Sequence, residues 1–306
     1  MTGPGPLSLM RNRTIVWLLL AGGAFSLVLV TAVALLLAVR GANRGTEFGF
    51  GDRIQIVDIE GTLVDSAAII DQLKRYEDSS SVPAILLNIN SPGGGVAPSQ
   101  EIYAEVQRLR EDHGKVVVAY MSTVGASGAY YIACAADQII ANPGTLVGSI
   151  GVIAEWLNYD DLLEWARLTN VVFKSGEYKD VPSPTRDLTP EEQAYYQALI
   201  DDVFNQFIEA VATGRGMEVD QVRGFADGRV FTGRSALELG MIDGTGNFQD
   251  AVDLTAELAG IPGTPRLLEP PEPRLTLIDL ITGDISAWLP FGQGAGSRVQ
   301  FQYLWK

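Results

Sequence analysis

The sequence predicts an α/β fold with a mainly parallel sheet. Two patterns predict it. From Arg53 to Gly260, short apolar runs alternate with stretches of helical spacing, and the turns after the apolar runs are rich in glycine, serine and proline. Bulk composition agrees: with 47 % hydrophobic and 19 % charged residues in 306 positions, the chain carries enough apolar surface for a substantial core.

The elements follow in order. Residues 53–63, RIQIVDIEGTL, alternate apolar and polar side chains as a strand does. Residues 66–79 have helical spacing, and AILLNINS at 84–91 is a short apolar strand ended by Pro-Gly-Gly-Gly. An amphipathic helix at 99–114, a buried strand at 115–122, a helix at 127–137 and a strand at 138–143 repeat the unit. NVVFKSG at 170–176 reads as another short strand, followed by a loop holding Pro182 and Pro184. A long helix starts at Thr189, which suits an N-cap, with Pro190 at the first helical position and Glu192 completing a capping box. Apolar residues at 196, 199, 200, 203, 204, 207, 208 and 211 give it one buried stripe, and Gly216 ends it. Residues 225–260 supply a strand-like turn and two helices, after which the chain becomes a Pro-rich linker and an apolar tail, 261–306.

The N-terminal part reads differently. Thr14–Val39 is 26 residues without a charge. As a helix it would extend ~39 Å at about 1.5 Å per residue, more than the ~30 Å hydrocarbon core of a bilayer. A cleavable signal peptide has a shorter apolar region and a small-residue cleavage site, which LLLAVRGAN does not offer, so residues 14–39 are expected to be an uncleaved transmembrane anchor. It divides a short N-terminus, 1–13, from a glycine-rich linker, 40–52, and from the folded body, 53–260. Arginines stand on both sides of the span, and charge alone leaves its orientation open.

Composition excludes several functions. A formal charge of −15 repels phosphate backbones, so nucleic acid is not an expected partner. One cysteine, Cys134, and one histidine, His113, cannot build a cysteine- or histidine-based metal centre, and no cofactor is implied. NSPGGGV at 90–96 lacks the ending of a P-loop and the spacing of a dinucleotide fingerprint; it reads either as a tight turn or as a nest of backbone N–H groups for an oxyanion. Ser127 lies in GASGAYY, where small neighbours leave room and the following helix aims its dipole at the serine. It reads either as a nucleophile or as an ordinary N-cap.

A serine nucleophile needs a base. His113 lies in the polar turn REDHGK, at the end of the fold opposite the expected site. Lysine is the alternative, provided its pKa falls from about 10.4 to roughly 7–8 in a dry pocket. Spacing alone leaves Lys174 and Lys179 both open. Ser149, in GSIGV, could orient the lysine or be a turn serine, and Cys134 reads as a buried core thiol.

Five blocks then fall in one order: NSPGGGV, GASGAYYIACAAD, GSIGVI, KSGEYKDVPSPTR and GRVFTGRSALELGMID. Together they resemble the signal peptide peptidase SppA family of membrane-anchored serine proteases, in its short, single-domain form. The resemblance implies a Clp-protease/crotonase-like α/β domain behind an N-terminal transmembrane helix. It implies Ser127 as nucleophile, Lys179 as general base, Ser149 as the residue that orients the lysine, and Gly94 and Gly128 as oxyanion-hole donors. It also implies a ring-shaped homo-oligomer whose sites are lined by neighbouring subunits, with the catalytic domain outside the cytoplasm. The expected substrates are signal-peptide remnants and other apolar peptides, cut where side chains are small. Two rival functions share this fold: a crotonase-type acyl-CoA enzyme, which needs no Ser-Lys pair, and a catalytically silent membrane scaffold. The tail 261–306 has no counterpart in the resemblance; its final RVQFQYLW is suited to adding a strand at a sheet edge, in the substrate groove, and so to controlling access.

Overall fold

The structure, a computed structural model, describes residues 53–270 and 302–304. The expected N-terminus 1–13, anchor 14–39 and linker 40–52 lie outside the described residues, as does most of the tail. Among the described residues no helix is long and apolar enough to cross a membrane.

Among the described residues nine strands form one mixed sheet: β1 Arg53–Leu63, β2 Ala84–Gly95, β3 Val116–Ala126, β4 Gln138–Ala141, β5 Leu146–Gly148, β6 Val230–Thr232, β7 Gly244–Thr245, β8 Arg266–Leu268 and β9 Gln302–Leu304. The order is β6-β5-β3-β2-β1-β8, with β4 against both β3 and β7, and β9 against β2. All pairings are parallel except β5 with β6 and β2 with β9. Helices α1 Ala67–Lys74, α2 Val96–Glu111 and α3 Gly128–Ala133 follow β1, β2 and β3, as the alternating pattern requires. The remaining helices are α4 Asp160–Trp165, α5 Pro190–Arg215, α6 Val219–Arg223, α7 Gly233–Glu238 and α8 Phe248–Leu258.

Strand alternation sorts the core into two clusters. Val57, Ile59, Ile85, Leu87, Ile89, Ala119 and Met121 face one way, against α1, α2, α3 and the C-terminal half of α5. Ile54, Ile56, Ala84, Leu86, Val118 and Tyr120 face the other, against Ala251, Val252 and Ala256 of α8. The sheet is therefore covered on both faces. The predicted capping box of α5 is present, with the Thr189 hydroxyl accepting from the Glu192 amide and the Glu192 carboxylate from the Thr189 amide, and Gly216 closes the helix in a left-handed conformation.

Three expectations are corrected. The glycines after AILLNINS are not a turn: β2 continues through Gly95, because β1 pairs with Gly93 and Gly94 on one edge and β9 with Gly93–Gly95 on the other. NVVFKSG is not a strand. It has the short apolar run of one, but among the described residues no sheet edge meets it, and Phe173 is 96 % exposed. The sheet also extends past Gly260, since β8 pairs with β1 and β9 with β2.

Beside the site, β2 and β3 part company. Their register runs evenly to Ile89–Met121, then jumps to Ser91–Gly125, so β3 bulges at 122–124 and its end leaves the edge of β2. β9 lies on the edge thus vacated.

Candidate active site

Ser127 stands between the last residue of β3 and the first of α3. Its backbone, φ 54° and ψ −119°, lies in a region costly for any residue with a Cβ. The turn is pinned on both sides: the Ser127 amide donates to the Gly148 carbonyl at 2.6 Å, and its carbonyl accepts from the Tyr131 amide at 2.8 Å. The side chain makes no capping hydrogen bond, which removes the N-cap reading. Only 1 % exposed, Ser127 carries a buried hydroxyl with no hydrogen-bond partner among the described residues. A strained turn that presents an unpartnered hydroxyl suits a nucleophile and costs stability otherwise.

The two expected oxyanion donors meet beside it. A Cβ added to Gly128 would lie 3.3 Å from the Gly94 nitrogen and would collide with Ser99 Oγ, so α3 and the end of β2 approach as only glycine allows. Gly93, at φ 95°, kinks β2 where its register with β1 shifts, and Ser91 holds the kink by donating to the Gly61 carbonyl at 2.6 Å and accepting from the Gly93 amide at 3.1 Å. Ser149 is buried nearby on the next strand end, also at positive φ, 51°, with its amide donating to the Arg229 carbonyl at 2.9 Å.

The lysines behave differently. Lys174 Nζ is held by Asp180 at 2.6 Å and by the Glu177 carbonyl at 2.7 Å, so it is an ion-pair partner within its own loop. Lys179 is exposed, its amide donating to the Gly176 carbonyl at 3.4 Å, and it does not reach Ser127 within the chain. The structure thus gathers Ser127, Ser149, Gly94 and Gly128 and leaves Lys179 outside the group. His113 sits at the far end of α2, against Arg108, with Asp78 3.5 Å away, rather than free in a solvated turn. Cys134 is buried and its thiol is pushed up to about 12 by burial, which makes it inert.

Comparison with known proteins decides the family. The profile of peptidase family S49 matches residues 109–262, and that of Clp protease matches residues 52–145. The chain belongs to peptidase family S49. Among its relatives, the protease slr0021 of Synechocystis sp. is 43 % identical over 234 residues, 76 % of this chain and 83 % of that protein. A relative from Enterococcus faecium bearing the name signal peptide peptidase SppA is 39 % identical over 184 residues, 60 % of this chain and 53 % of its own length. Protease 4 of Haemophilus influenzae is 31 % identical over 233 residues, and the match spans 71 % of this chain and 36 % of that protein. The S49 chain is accordingly a serine peptidase of the SppA family on a Clp-protease-like fold, and the acyl-CoA and silent-scaffold alternatives fall away.

Sequence reasoning missed two residues of this S49 site. Ser91 was visible only as the residue before Pro-Gly-Gly-Gly, and its reach to Gly61 depends on β1 lying beside β2. Tyr303 lies in RVQFQYLW, the segment expected to add a strand at a sheet edge, but nothing local marks out this residue within it.

Proposed function

We propose that this chain is a membrane-anchored endopeptidase in which Ser127 attacks the scissile carbonyl and Lys179 is the base. The observation that carries the reading is the buried, unpartnered Ser127 hydroxyl on a strained strand-to-helix turn beside Gly94 and Gly128. Neutral Lys179 takes the Ser127 proton as Oγ bonds to the carbonyl carbon, and the Gly94 and Gly128 amides hold the developing oxyanion. The tetrahedral species collapses, the leaving amine takes the proton from Lys179, and an ester to Ser127 remains. Water then gives its proton to the same lysine, attacks the ester and releases the carboxylic acid with Ser127 restored. Ser149, buried at the adjacent strand end, orients the lysine.

The base comes from a neighbouring copy in a ring-shaped homo-oligomer. An exposed Lys179 and a buried Ser127 need something to bring them together, and residues 157–173 offer a reason for assembly: Leu157, Leu162, Trp165, Leu168, Val171 and Phe173 are all exposed. A lone soluble domain rarely leaves such a belt in water. Covering it with a second copy desolvates the loop that carries Lys179, and desolvation is what a lysine base needs. Substrates are apolar peptides lying extended along β2, signal-peptide remnants among them, and the anchor at 14–39 holds the site beside a bilayer, with the catalytic domain outside the cytoplasm.

Intact mass after treatment of the full chain in detergent with a serine-directed fluorophosphonate tests the pair. One adduct on the wild type, lost in Ser127→Ala and in Lys179→Ala, is expected. An adduct that survives in Lys179→Ala, or one carried by another serine, overturns the assignment.

A further inference from the structure

The first half of α5 has little core to pack on, since of its buried residues only Glu192 precedes Phe207. Two tyrosines in that half meet the loop that carries Lys179. The Tyr196 hydroxyl donates to the Val181 carbonyl at 3.0 Å, and the Tyr195 ring packs on Tyr178 with centroids 5.2 Å apart. Trp156, on the chain that leaves Ser149, joins the cluster against Tyr196 at 5.9 Å. Inside the loop, Gly176, at φ 94°, starts a turn in which its carbonyl accepts from the Lys179 amide at 3.4 Å, and the Tyr178 carbonyl accepts from the Val181 amide at 3.3 Å. Asp180 is tied to Lys174 at 2.6 Å and to Arg186 at 3.1 Å. Residues 178, 180 and 181 are thus each fixed from outside, while Lys179 stays exposed among them. Tyr195, 47 % exposed, adds little to a core; what it and Tyr196 hold is the backbone on both sides of the lysine.

We infer that Tyr196 is a positioning residue for the base: from α5 it holds the Val181 carbonyl and, with Tyr195, clamps the turn so that Lys179 is offered at one fixed place. The inference rests on the reading of Lys179 as general base. Proton transfer needs the amine within hydrogen-bond reach of the serine hydroxyl, and a long, flexible lysine side chain reaches one point reproducibly only from a fixed backbone. In the proposed ring the loop and the serine belong to different copies, so a loose loop is not corrected by the serine's own chain. Tyr196→Phe keeps the ring and its contacts with Trp156 and Tyr195 and removes only the hydroxyl, which frees the Val181 carbonyl without emptying the cluster.

The test follows, over time and by intact mass, labelling of the full chain in detergent by a serine-directed fluorophosphonate. Tyr196→Phe should lower the maximal labelling rate about ten-fold and change the reagent concentration for half-maximal rate by less than about two-fold, because the serine and its surroundings are untouched. Mixed copies separate positioning from general damage. Tyr196→Phe placed on the Ser127→Ala copy, which supplies the lysine, should slow labelling of a mixture with Lys179→Ala about ten-fold. The same change placed on the Lys179→Ala copy, which supplies the serine, should leave the rate of the mixture as it was. Loss of folding or of assembly would slow both mixtures alike. Equal rates in the two mixtures, or a Tyr196→Phe protein labelled as fast as the wild type, overturn the inference. If Ser127→Ala and Lys179→Ala together give no labelled sites, the lysine serves its own chain, and the split between maximal rate and half-maximal concentration in Tyr196→Phe alone decides. A Lys179→Ala protein labelled as fast as the wild type sinks the base assignment and leaves the clamp no base to position. A slow Lys179→Ala beside an unchanged Tyr196→Phe keeps the base and overturns the clamp.

Discussion

At the scale of single residues, function and stability oppose each other at Ser127. A buried hydroxyl without a partner costs about 1–3 kcal/mol, and a positive φ on a residue with a Cβ costs about as much again. Ser127→Ala should abolish peptidase activity, by roughly 10⁴-fold or more, while raising stability by about 1 kcal/mol, read as an upward shift of the thermal midpoint. A drop in midpoint would mean that the hydroxyl is satisfied in the folded protein and is no poised nucleophile. Ser91 carries the opposite prediction. Its hydroxyl serves both the Gly61 carbonyl and the Gly93 amide, so Ser91→Ala strands two backbone groups; a loss of about 1–3 kcal/mol is expected, with kcat falling more than KM rises because the glycine strand carries Gly94, a proposed oxyanion donor. If kcat in folded Ser91→Ala matches the wild type, the glycine strand does not need that hydroxyl to hold its shape. In the sequence Ser127 and Ser149 stand out at strand ends marked by small residues, whereas Gly94 and Gly128 entered as what the family resemblance implied; the structure places the four close together. The conformation at Ser127 was not legible there, because an N-cap serine and a strained nucleophile share one local sequence and differ only in where β5 pins the turn.

Among the elements, those with a local cause were readable. The limits of β1 and the capping box of α5 follow from alternation and from Thr189, Pro190 and Glu192. β8 was not readable as a sheet member because a three-residue strand is defined by its partner, whereas β9 lies within RVQFQYLW, the segment expected to add a strand at a sheet edge; NVVFKSG misled because a short apolar run does not by itself supply an edge to pair with. The Lys179 loop is held instead by charge. Arg186 joins Asp180, at 3.1 Å, to Glu192 at the start of α5, at 2.6 Å, and Lys174 adds a second tie to Asp180 at 2.6 Å. Arg186 and the Thr189 amide hold the Glu192 carboxyl down at about 2, and Arg186 with Lys174 holds Asp180 well below the usual carboxylate range. Carboxyl groups depressed in the folded state stabilise it above their unfolded pKa values near 4, and that contribution is lost as pH falls toward about 2. Pepsin should therefore cut residues 173–188 of the wild type only as pH approaches 2, whereas Arg186→Met should be cut there already near pH 4. Equal cutting of the two proteins at pH 4 would show that the latch does not order the loop.

For the whole molecule the question is how an exposed lysine would serve a buried serine under the proposed mechanism. A rotation-related ring has one kind of interface repeated head to tail, so each copy offers its loop to the next and receives one from the last. In the proposed ring each site would draw its serine from one copy and its lysine from another, and the apolar belt at 157–173 would be covered in the same step. The two inactive proteins Ser127→Ala and Lys179→Ala should consequently rescue each other. Mixed in equal amounts and allowed to exchange subunits, they place an intact serine beside an intact lysine in about a quarter of sites, so fluorophosphonate labelling should return to about that fraction of the wild-type level. A lysine acting within its own chain gives no labelling at any mixing ratio, since neither protein holds both groups. Phe173→Glu together with Trp165→Glu supplies the other half of the argument: charges in the belt should lower the assembled mass in light scattering and cost activity, even though neither residue is near Ser127 in the sequence. Rescue by mixing combined with an unchanged mass in this double variant would keep the shared site and place the contact between copies elsewhere than at the belt.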